Sequence, residues 1–343
     1  MAVHNLPRVM VFGLGGTIAM ARGQDGTGAI PQLSAEMLLA AVPQVSLWAR
    51  VEACSFRNVP SPHLTLDDVA ELARAIDQAS LNGFDGIVVT QGTDAIEETA
   101  FALDLLVQSD VPVAVTGAMR HSELPGADGP ANLLAAVQVA ASPLSRDIGT
   151  VVVFQDEIHA ARFVRKVHTT SLGAFRSPSA GPIGYVTEGR VRMFARPGRR
   201  VRVDLAPGKP DVPVALVTAA LGDDGRFLDA LPDLGYGGVV VEGFGAGHTS
   251  PTVAERLGRL AQVMPVVLAS RTGAGEVLRG TYGYTGSESD LLRRGLIPAG
   301  ILDGPKARIL LACLLRAGVP RNNLVNAYEA FLDWSPRTGA SLR

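Results

Sequence analysis

Short apolar runs rich in β-branched residues recur along the chain, and helical patterns separate them. The runs are VMVF near residue 10, GIVV at 86–89, PVAV at 112–115 and TVVVF at 150–154. Between them, apolar residues at three- and four-residue spacing predict helices at 67–82, 95–107 and 130–140. Strands that alternate with helices favour β-α-β units, and therefore a mainly parallel sheet with helices on both faces.

The pattern is interrupted after about residue 190, where RVRMFARPGRRVRVDLAPGKPDV mixes basic residues with Pro and Gly. We interpret 191–212 as a linker. Beyond it, VPVALVTAAL, GGVVVEGF and MPVVLAS predict further strands, and helices are expected at 251–263, 305–317 and 322–332. A chain of 343 residues can bury two cores. We therefore predict a larger N-terminal α/β domain at 1–190, with a parallel sheet and flanking helices, and a smaller C-terminal α/β domain at 213–343.

Composition argues against several classes of function. The formal net charge is -2, so no broad basic surface for nucleic acid or anionic lipid is expected. The only cysteines, Cys54 and Cys313, cannot build a disulfide framework or a cysteine-rich zinc site. The histidines show no metal-ligand spacing such as HExxH, so we expect no metal.

The N-terminal segment MAVHNLPRVMVFGLGG has no charged region followed by a long apolar stretch and a cleavage site. No run in the chain approaches the roughly twenty apolar residues that a membrane-spanning helix needs. We therefore expect a soluble, cytoplasmic protein.

In open α/β sheets ligands bind at the carboxyl ends of the strands, so the loops after the predicted strands are the places to look for function. The first loop is GLGGTIAM, residues 13–20. A dinucleotide-binding GxGxxG turn would need glycine where Ile18 stands, which argues against a nucleotide. Thr17 instead offers a hydroxyl on a glycine-rich turn that a ligand can approach closely. The alternative is that Thr17 only caps the next segment.

The second loop, in VVTQGTDAIEETAF, passes from a strand to a helix through Gln91, Gly92, Thr93 and Asp94. One interpretation is structural, because Asp94 and Glu97 have the spacing of a capping box. The other is functional, because backbone N–H groups at a helix start can hold an oxyanion while the Asp94 carboxylate faces a cation.

Two further loops carry polar residues. In VTGAMRHSELPGADGPANLLAAV, Asp128 and Pro130 predict a helix start, and we interpret the segment as scaffold for its neighbours. In RFVRKVHTTSLGAFRSPSAGPIGY, Lys166 is either a solvated surface lysine or, if buried beside hydroxyls, a base.

Together these strings resemble the bacterial-type L-asparaginase (asparaginase/glutaminase) family over nearly the whole chain. The strings are GGTIA, GTDxxEETA, GAMR...ADGPxNL and K...TT...FRSP...GPIG. The resemblance implies hydrolysis of L-asparagine to L-aspartate and ammonia through a threonine nucleophile and a β-aspartyl-enzyme intermediate. It implies no cofactor and a homodimer or homotetramer.

The resemblance also implies roles for individual residues. Thr17 is similar to the nucleophile, although which threonine attacks first stays open. Thr93, Asp94 and Lys166 match the second catalytic group. Asp94 would also pair with the substrate's α-ammonium group, and the backbone at Gly92 and Thr93 would face the substrate. Ser61, in NVPSPHL, matches the serine that binds the α-carboxylate.

Several positions depart from the family's pattern. The family places a tyrosine on an N-terminal lid, whereas RGQDGTGAIP, residues 22–31, has Thr27 as its only hydroxyl. We expect Thr27 to substitute in part. Pro62 and Gln91 replace a common amide and a common histidine. In the second domain His248 and Glu288 match, loosely, residues that reach a neighbouring subunit's site.

Other functions stay open. The nearest alternatives are a glutaminase-asparaginase and the related transfer-RNA amidotransferase subunit that releases ammonia from glutamine. Such subunits carry an extra N-terminal domain before the GGT turn, whereas the turn begins here at Gly13, which argues against the amidotransferase subunit. A non-catalytic binding protein for small amino acids is an alternative of another class. Binding alone does not need Thr17, Thr93 and Lys166 together, which argues against it.

Overall fold

The computed structural model describes residues 6–22, 29–31, 34–198, 200–205 and 208–331. The chain forms two compact units, Met1–Pro197 and Gly198–Arg343. The helices are α1 Ala35–Ala40, α2 Leu66–Leu81, α3 Ile96–Leu106, α4 Gly129–Ala141, α5 Pro251–Val263, α6 Glu288–Arg293, α7 Gly304–Ala317 and α8 Leu324–Glu329. The strands are β1 Arg8–Gly13, β2 Met20–Arg22, β3 Ala29–Pro31, β4 Arg50–Ser55, β5 Gly86–Thr90, β6 Val113–Thr116, β7 Thr150–Phe154, β8 Glu157–Ala160, β9 Arg165–Lys166, β10 Phe175–Arg176, β11 Gly184–Thr187, β12 Arg190–Met193, β13 Val214–Thr218, β14 Gly238–Gly243, β15 Val266–Ser270 and β16 Ile297–Pro298.

The main sheet of the first unit has eight strands in the order β12-β11-β8-β7-β6-β5-β1-β4. The five strands from β7 to β4 run parallel, as the alternating pattern predicts. The pairs β7–β8, β8–β11 and β11–β12 are antiparallel. The direction changes at β7, because only Gln155 and Asp156 join β7 to β8. Both turn residues have positive φ, as in a two-residue hairpin, and so short a link cannot make a parallel crossover.

The centre of this sheet is covered on both faces. Every residue of β5, β6 and β7 is buried, and successive side chains of a strand point to opposite faces. Helices α2, α3 and α4 begin and end within one residue of the predicted bounds. Helix α2 starts with a capping box between Thr65 and Asp68, which fixes its first turn. The predicted α/β architecture of the first unit is therefore confirmed.

The segment that we interpreted as the start of a linker is the last strand of the sheet. In β12 the residues alternate, with Val191 buried and Arg190 and Arg192 exposed. The two arginines that suggested a linker therefore lie on the solvent side of an edge strand. The division between the two units falls after Pro197.

The second unit has a smaller parallel sheet in the order β13-β14-β15-β16. Its core joins these strands to α5, whose inward residues Val253, Leu257 and Leu260 are buried. Helix α5 has the predicted bounds, and α7 starts one residue early at Gly304, after the N-cap Asp303. Helix α8 is shorter than predicted and ends at Glu329. The second α/β domain is thus confirmed as well.

Cys54 and Cys313 are both free thiols. Cys313 is fully buried in α7, and burial raises the pKa of its thiol to about 12. Among the described residues, no helix is long and apolar enough to cross a membrane. The described residues also contain no cluster of three or more His, Cys, Asp or Glu side chains that could hold a metal ion.

His159 on β8 is fully buried, and its ring has a structural role. Its Nδ1 lies 3.0 Å from Ser177 Oγ, and its Nε2 lies 3.1 Å from Glu157 Oε2. Burial lowers the pKa of the ring, and the Glu157 carboxylate opposes this shift with a smaller effect. Both ring nitrogens are engaged, so the ring joins the antiparallel part of the sheet to the loop after β10.

Candidate active site

Strands β1 and β5 are neighbours in the sheet and end at the same edge. Gly13 at the end of β1 pairs with Thr90 at the end of β5, and the Leu14 N–H donates to the Thr90 carbonyl at 2.8 Å. The loop that carries Thr17 follows β1, and the loop that carries Thr93 follows β5. The parallel pairing therefore brings the two threonine loops side by side.

The two loops touch through glycines. Gly16 has a φ of +84°, in the left-handed region, and a methyl group built on it would overlap the backbone nitrogen and Cα of Gly92. Gly92 is itself close to Ser61, because a Cβ at Gly92 would lie 2.9 Å from Ser61 Oγ. A side chain at Gly16 would push the two threonine loops apart, and a side chain at Gly92 would displace Ser61, so close contacts require glycine at both positions.

Thr17 begins a short 3-10 turn, Thr17–Ala19, and is partly exposed. No hydrogen bond joins its hydroxyl to another described residue. The alternative that Thr17 serves as a cap therefore has no supporting contact in this part of the structure. Thr17 directly follows Gly16, the residue whose backbone approaches Gly92.

Thr93, Asp94 and Lys166 form a hydrogen-bonded group. The Lys166 ammonium group donates to Thr93 Oγ1 at 2.9 Å and to Asp94 Oδ1 at 2.5 Å. Thr93 is buried, the Lys166 side chain is 14% exposed, and the Asp94 side chain is 67% exposed. Lys166 is therefore not a solvated surface lysine. The group can pass a proton between a buried hydroxyl and an amine, and it presents a carboxylate to solvent.

Ser61 is buried at the same edge of the sheet, in the loop after β4. Its hydroxyl oxygen accepts the Ala95 N–H at 3.3 Å. This bond ties the loop after β4 to the first residues after Thr93 and Asp94. No described residue accepts the hydroxyl hydrogen of Ser61, which can therefore donate to a ligand oxygen.

The loop after β6 is the scaffold that the sequence predicts. The Asp128 carboxylate accepts the N–H groups of Met119 and Arg120 at 3.0 and 2.9 Å. Asn132 Nδ2 donates to the Gly117 carbonyl at 3.0 Å. A Cβ at Gly117 would lie 2.6 Å from the Gln91 carbonyl oxygen, so this loop supports the loop after β5 from the side. The roles of the Asn132 and Asp128 side chains are not visible from helix-start signals alone.

Of the two interpretations of this loop, the capping box between Asp94 and Glu97 is wrong. The N-cap of α3 is Ala95, and no side chain caps the helix, because a 3-10 turn at Thr93–Ala95 precedes it. Asp94 is engaged by Lys166, and Glu97 Oε2 accepts the backbone N–H of Lys166 at 2.8 Å. Tertiary contacts have replaced the local ones.

The second unit contains a hydrogen-bonded chain of three side chains. His248 Nε2 lies 3.1 Å from Glu288 Oε2, and Tyr284 Oη lies 2.8 Å from His248 Nδ1. Glu288 is fully buried, and its Oε1 accepts the N–H groups of Thr281 and Tyr282. Burial alone would raise the pKa of Glu288, but these backbone donors and the His248 ring outweigh it and lower the pKa.

The structure thus brings His248 and Glu288 together in one hydrogen-bonded chain. Tyr284 was missed, although the aromatic residues of GTYGYTG are a visible signal. Tyr284 is 52% exposed, so the hydrogen-bonded chain runs from the buried Glu288 carboxylate to the Tyr284 phenol at the surface of the unit.

Two other departures from the family's pattern have different outcomes. Thr27 lies outside the described residues. Gln91, in place of the common histidine, is fully buried, and its Nε2 donates to the Gly92 carbonyl at 3.3 Å. Gln91 therefore supports the backbone at the point where the two threonine loops meet.

Two family models match most of the chain. Residues 8–199 match the model of the asparaginase N-terminal domain, and residues 213–327 match that of the glutaminase/asparaginase C-terminal domain. The chain belongs to the asparaginase family. It is a hydrolase that acts on amides.

Relatives and a solved structure cover nearly the whole chain. A probable L-asparaginase of Deinococcus radiodurans is 39% identical, over 93% of this chain and 96% of the relative. An L-asparaginase of Bacillus licheniformis is 35% identical, over 90% of this chain and 95% of the relative. The crystal structure of a probable cytoplasmic L-asparaginase from Campylobacter jejuni has a TM-score of 0.86 at 32% identity, over 94% of this chain and 99% of that one.

The contact between the two loops yields a prediction for this asparaginase-family enzyme. Gly16→Ala should lower kcat/KM for amide hydrolysis by roughly a hundredfold, because its methyl group displaces Gly92 and with it Thr93. The measurement is ammonia release per folded molecule, with folding checked by circular dichroism.

The matched control is Gly222→Ala. Gly222 has nearly the same backbone conformation, with a φ of +82°, but nothing lies within 4 Å of its added methyl group. Both variants carry the left-handed strain of about 1–2 kcal/mol, and only Gly16→Ala carries the overlap. Equal activity in the two variants would show that the loop contact does not matter.

Proposed function

We propose that the protein is an L-asparaginase, which hydrolyses L-asparagine to L-aspartate and ammonia through a threonine ester. In the first step the Thr17 oxygen attacks the side-chain amide carbon, the hydroxyl proton passes to a base, and protonated nitrogen leaves as ammonia. A β-aspartyl ester remains on Thr17. Water then attacks this ester, which releases aspartate and restores the hydroxyl.

One observation carries the proposal. Thr17, whose hydroxyl has no hydrogen bond to a described residue, lies on a loop that contacts Gly92, directly before the hydrogen-bonded group of Thr93, Asp94 and Lys166. The proposed nucleophile and Thr93 thus follow two neighbouring strands, and Lys166 reaches Thr93 from β9. Metal ligands are not needed for this route, because the hydroxyl itself attacks.

The other residues receive roles from their chemistry. The Asp94 carboxylate, mostly exposed, pairs with the α-ammonium group of asparagine. The Ser61 hydroxyl donates to the α-carboxylate. The backbone N–H groups of Gly92 and Thr93 face the oxyanion that develops at the amide oxygen.

The names of the relatives support asparagine as the substrate, and a panel of amides tests it. Ammonia release from L-asparagine should exceed that from L-glutamine, D-asparagine and β-aspartyl peptides. A comparable kcat/KM for L-glutamine would make the protein a glutaminase-asparaginase. Tight binding without turnover would make it a binding protein and refute the proposal.

Substitutions test the roles of the two hydroxyls and the amine. Thr17→Val, Thr93→Val and Lys166→Met should each lower kcat by roughly a hundredfold or more, because each removes a group that attacks or carries a proton. The matched controls are Thr187→Val and Lys209→Met, which alter an exposed threonine and an exposed lysine. A folded Thr17→Val enzyme with near-normal kcat would exclude Thr17 as nucleophile.

We further propose that the enzyme works as a homodimer or homotetramer, in which His248 and Glu288 of one copy contribute to the site of another. The support is the hydrogen-bonded chain that ends in the exposed Tyr284 phenol. Monomers isolated by dilution and verified by light scattering should be nearly inactive. Full specific activity in such a sample would rule out the shared site.

We also propose a cytoplasmic location, without nucleic acid or membrane as partner. The support is the name of the Campylobacter jejuni protein, whereas a relative from Haemophilus influenzae is named periplasmic. Cell fractionation distinguishes the two, and enzyme in the periplasmic fraction would refute the location.

A further inference from the structure

The first turn of α3 sends one of its two acidic side chains to a distant strand. Glu97 Oε2 accepts the backbone N–H of Lys166 at 2.8 Å, across 69 positions of the chain. Its neighbour Glu98 is on the same turn. The bond from Glu97 is the contact that takes the place of the capping box.

Lys166 lies on β9, a strand of two residues that pairs with β10, itself two residues long. Because so short a strand pair supplies few backbone hydrogen bonds, a contact from another element helps to fix the Lys166 backbone. A lysine side chain has four flexible methylene groups, so the position of its nitrogen depends first on the position of its backbone. In the ion pair between Lys166 and Asp94 the Asp94 side chain is mostly exposed, so water screens the attraction between the two charges.

The anchor and the targets of Lys166 belong to one element. Thr93 and Asp94 form the turn that leads directly into α3, and Glu97 follows on the first turn of the helix. Glu97 therefore holds the lysine backbone at a fixed distance from the same helix start that carries the hydroxyl and the carboxylate. Movement of β9 relative to α3 would stretch all three contacts together.

We propose that Glu97 is a positioning residue, which fixes the backbone of Lys166 so that its amine reaches Thr93 and Asp94. This inference rests on the proposed function, because the consequence of misplacing Lys166 is measured in asparagine hydrolysis. What matters is the reach of the Glu97 side chain to the Lys166 N–H. The negative charge of Glu97 is secondary.

Two conservative variants separate reach from charge. Glu97→Gln keeps the length and a carbonyl oxygen that accepts the N–H, so kcat should stay within about threefold of the wild type. Glu97→Asp keeps the charge but is shorter by one methylene group, so kcat should fall roughly ten- to a hundredfold while KM changes little. Glu255→Asp and Glu255→Gln, at an exposed glutamate of helix α5, are the matched controls and should leave kcat unchanged.

Hydrogen exchange checks the contact directly. The amide of Lys166 should exchange faster in Glu97→Asp than in the wild type or Glu97→Gln. A double substitution tests whether Glu97 acts through the lysine: in a Lys166→Met background, adding Glu97→Asp should lower kcat by less than about twofold.

The outcomes are distinct. Equal kcat in Glu97→Asp and Glu97→Gln overturns the inference, and so does an undiminished loss from Glu97→Asp in the Lys166→Met background. Failure of the proposed function gives a different result, because the wild-type enzyme then releases no ammonia from asparagine.

Discussion

The contact between the backbones of Gly16 and Gly92 is the constraint on which the site depends. It joins the loop after β1 to the loop after β5, and these strands are neighbours in a sheet whose centre is buried on both faces. The scaffold loop at Gly117 and the buried Gln91 support the second loop from other sides. The loop positions of Thr17 and Thr93 are thus a consequence of main-chain packing.

Local patterns in the sequence predicted the parts of the fold that local chemistry determines. Helices α2, α3 and α4 follow from apolar spacing, and the glycines before Thr17 and Thr93 indicate close backbone approach. The contact between Lys166 and Thr93 spans 73 positions, so local residue spacing cannot predict it. Resemblance to a family, and not periodicity, pointed to Lys166.

The wrong or missing predictions share a physical cause. Glu97 has the right spacing for a capping box, but a tertiary partner competes for its carboxylate and takes it. The arginines of β12 suggested a linker, although an edge strand tolerates charge on its solvent side. Tyr284 was missed because its role comes from His248, 36 positions away.

The central claim is that Thr17 forms the covalent bond to the substrate. It is tested most directly by quenching the enzyme in acid during turnover of L-asparagine, cleaving after arginine and analysing the peptides by mass spectrometry. Arg22 and Arg74 lie between the two threonines, so these fall on different peptides. The account predicts an aspartyl ester on the peptide that contains Thr17. An ester on the peptide that contains Thr93 would contradict it.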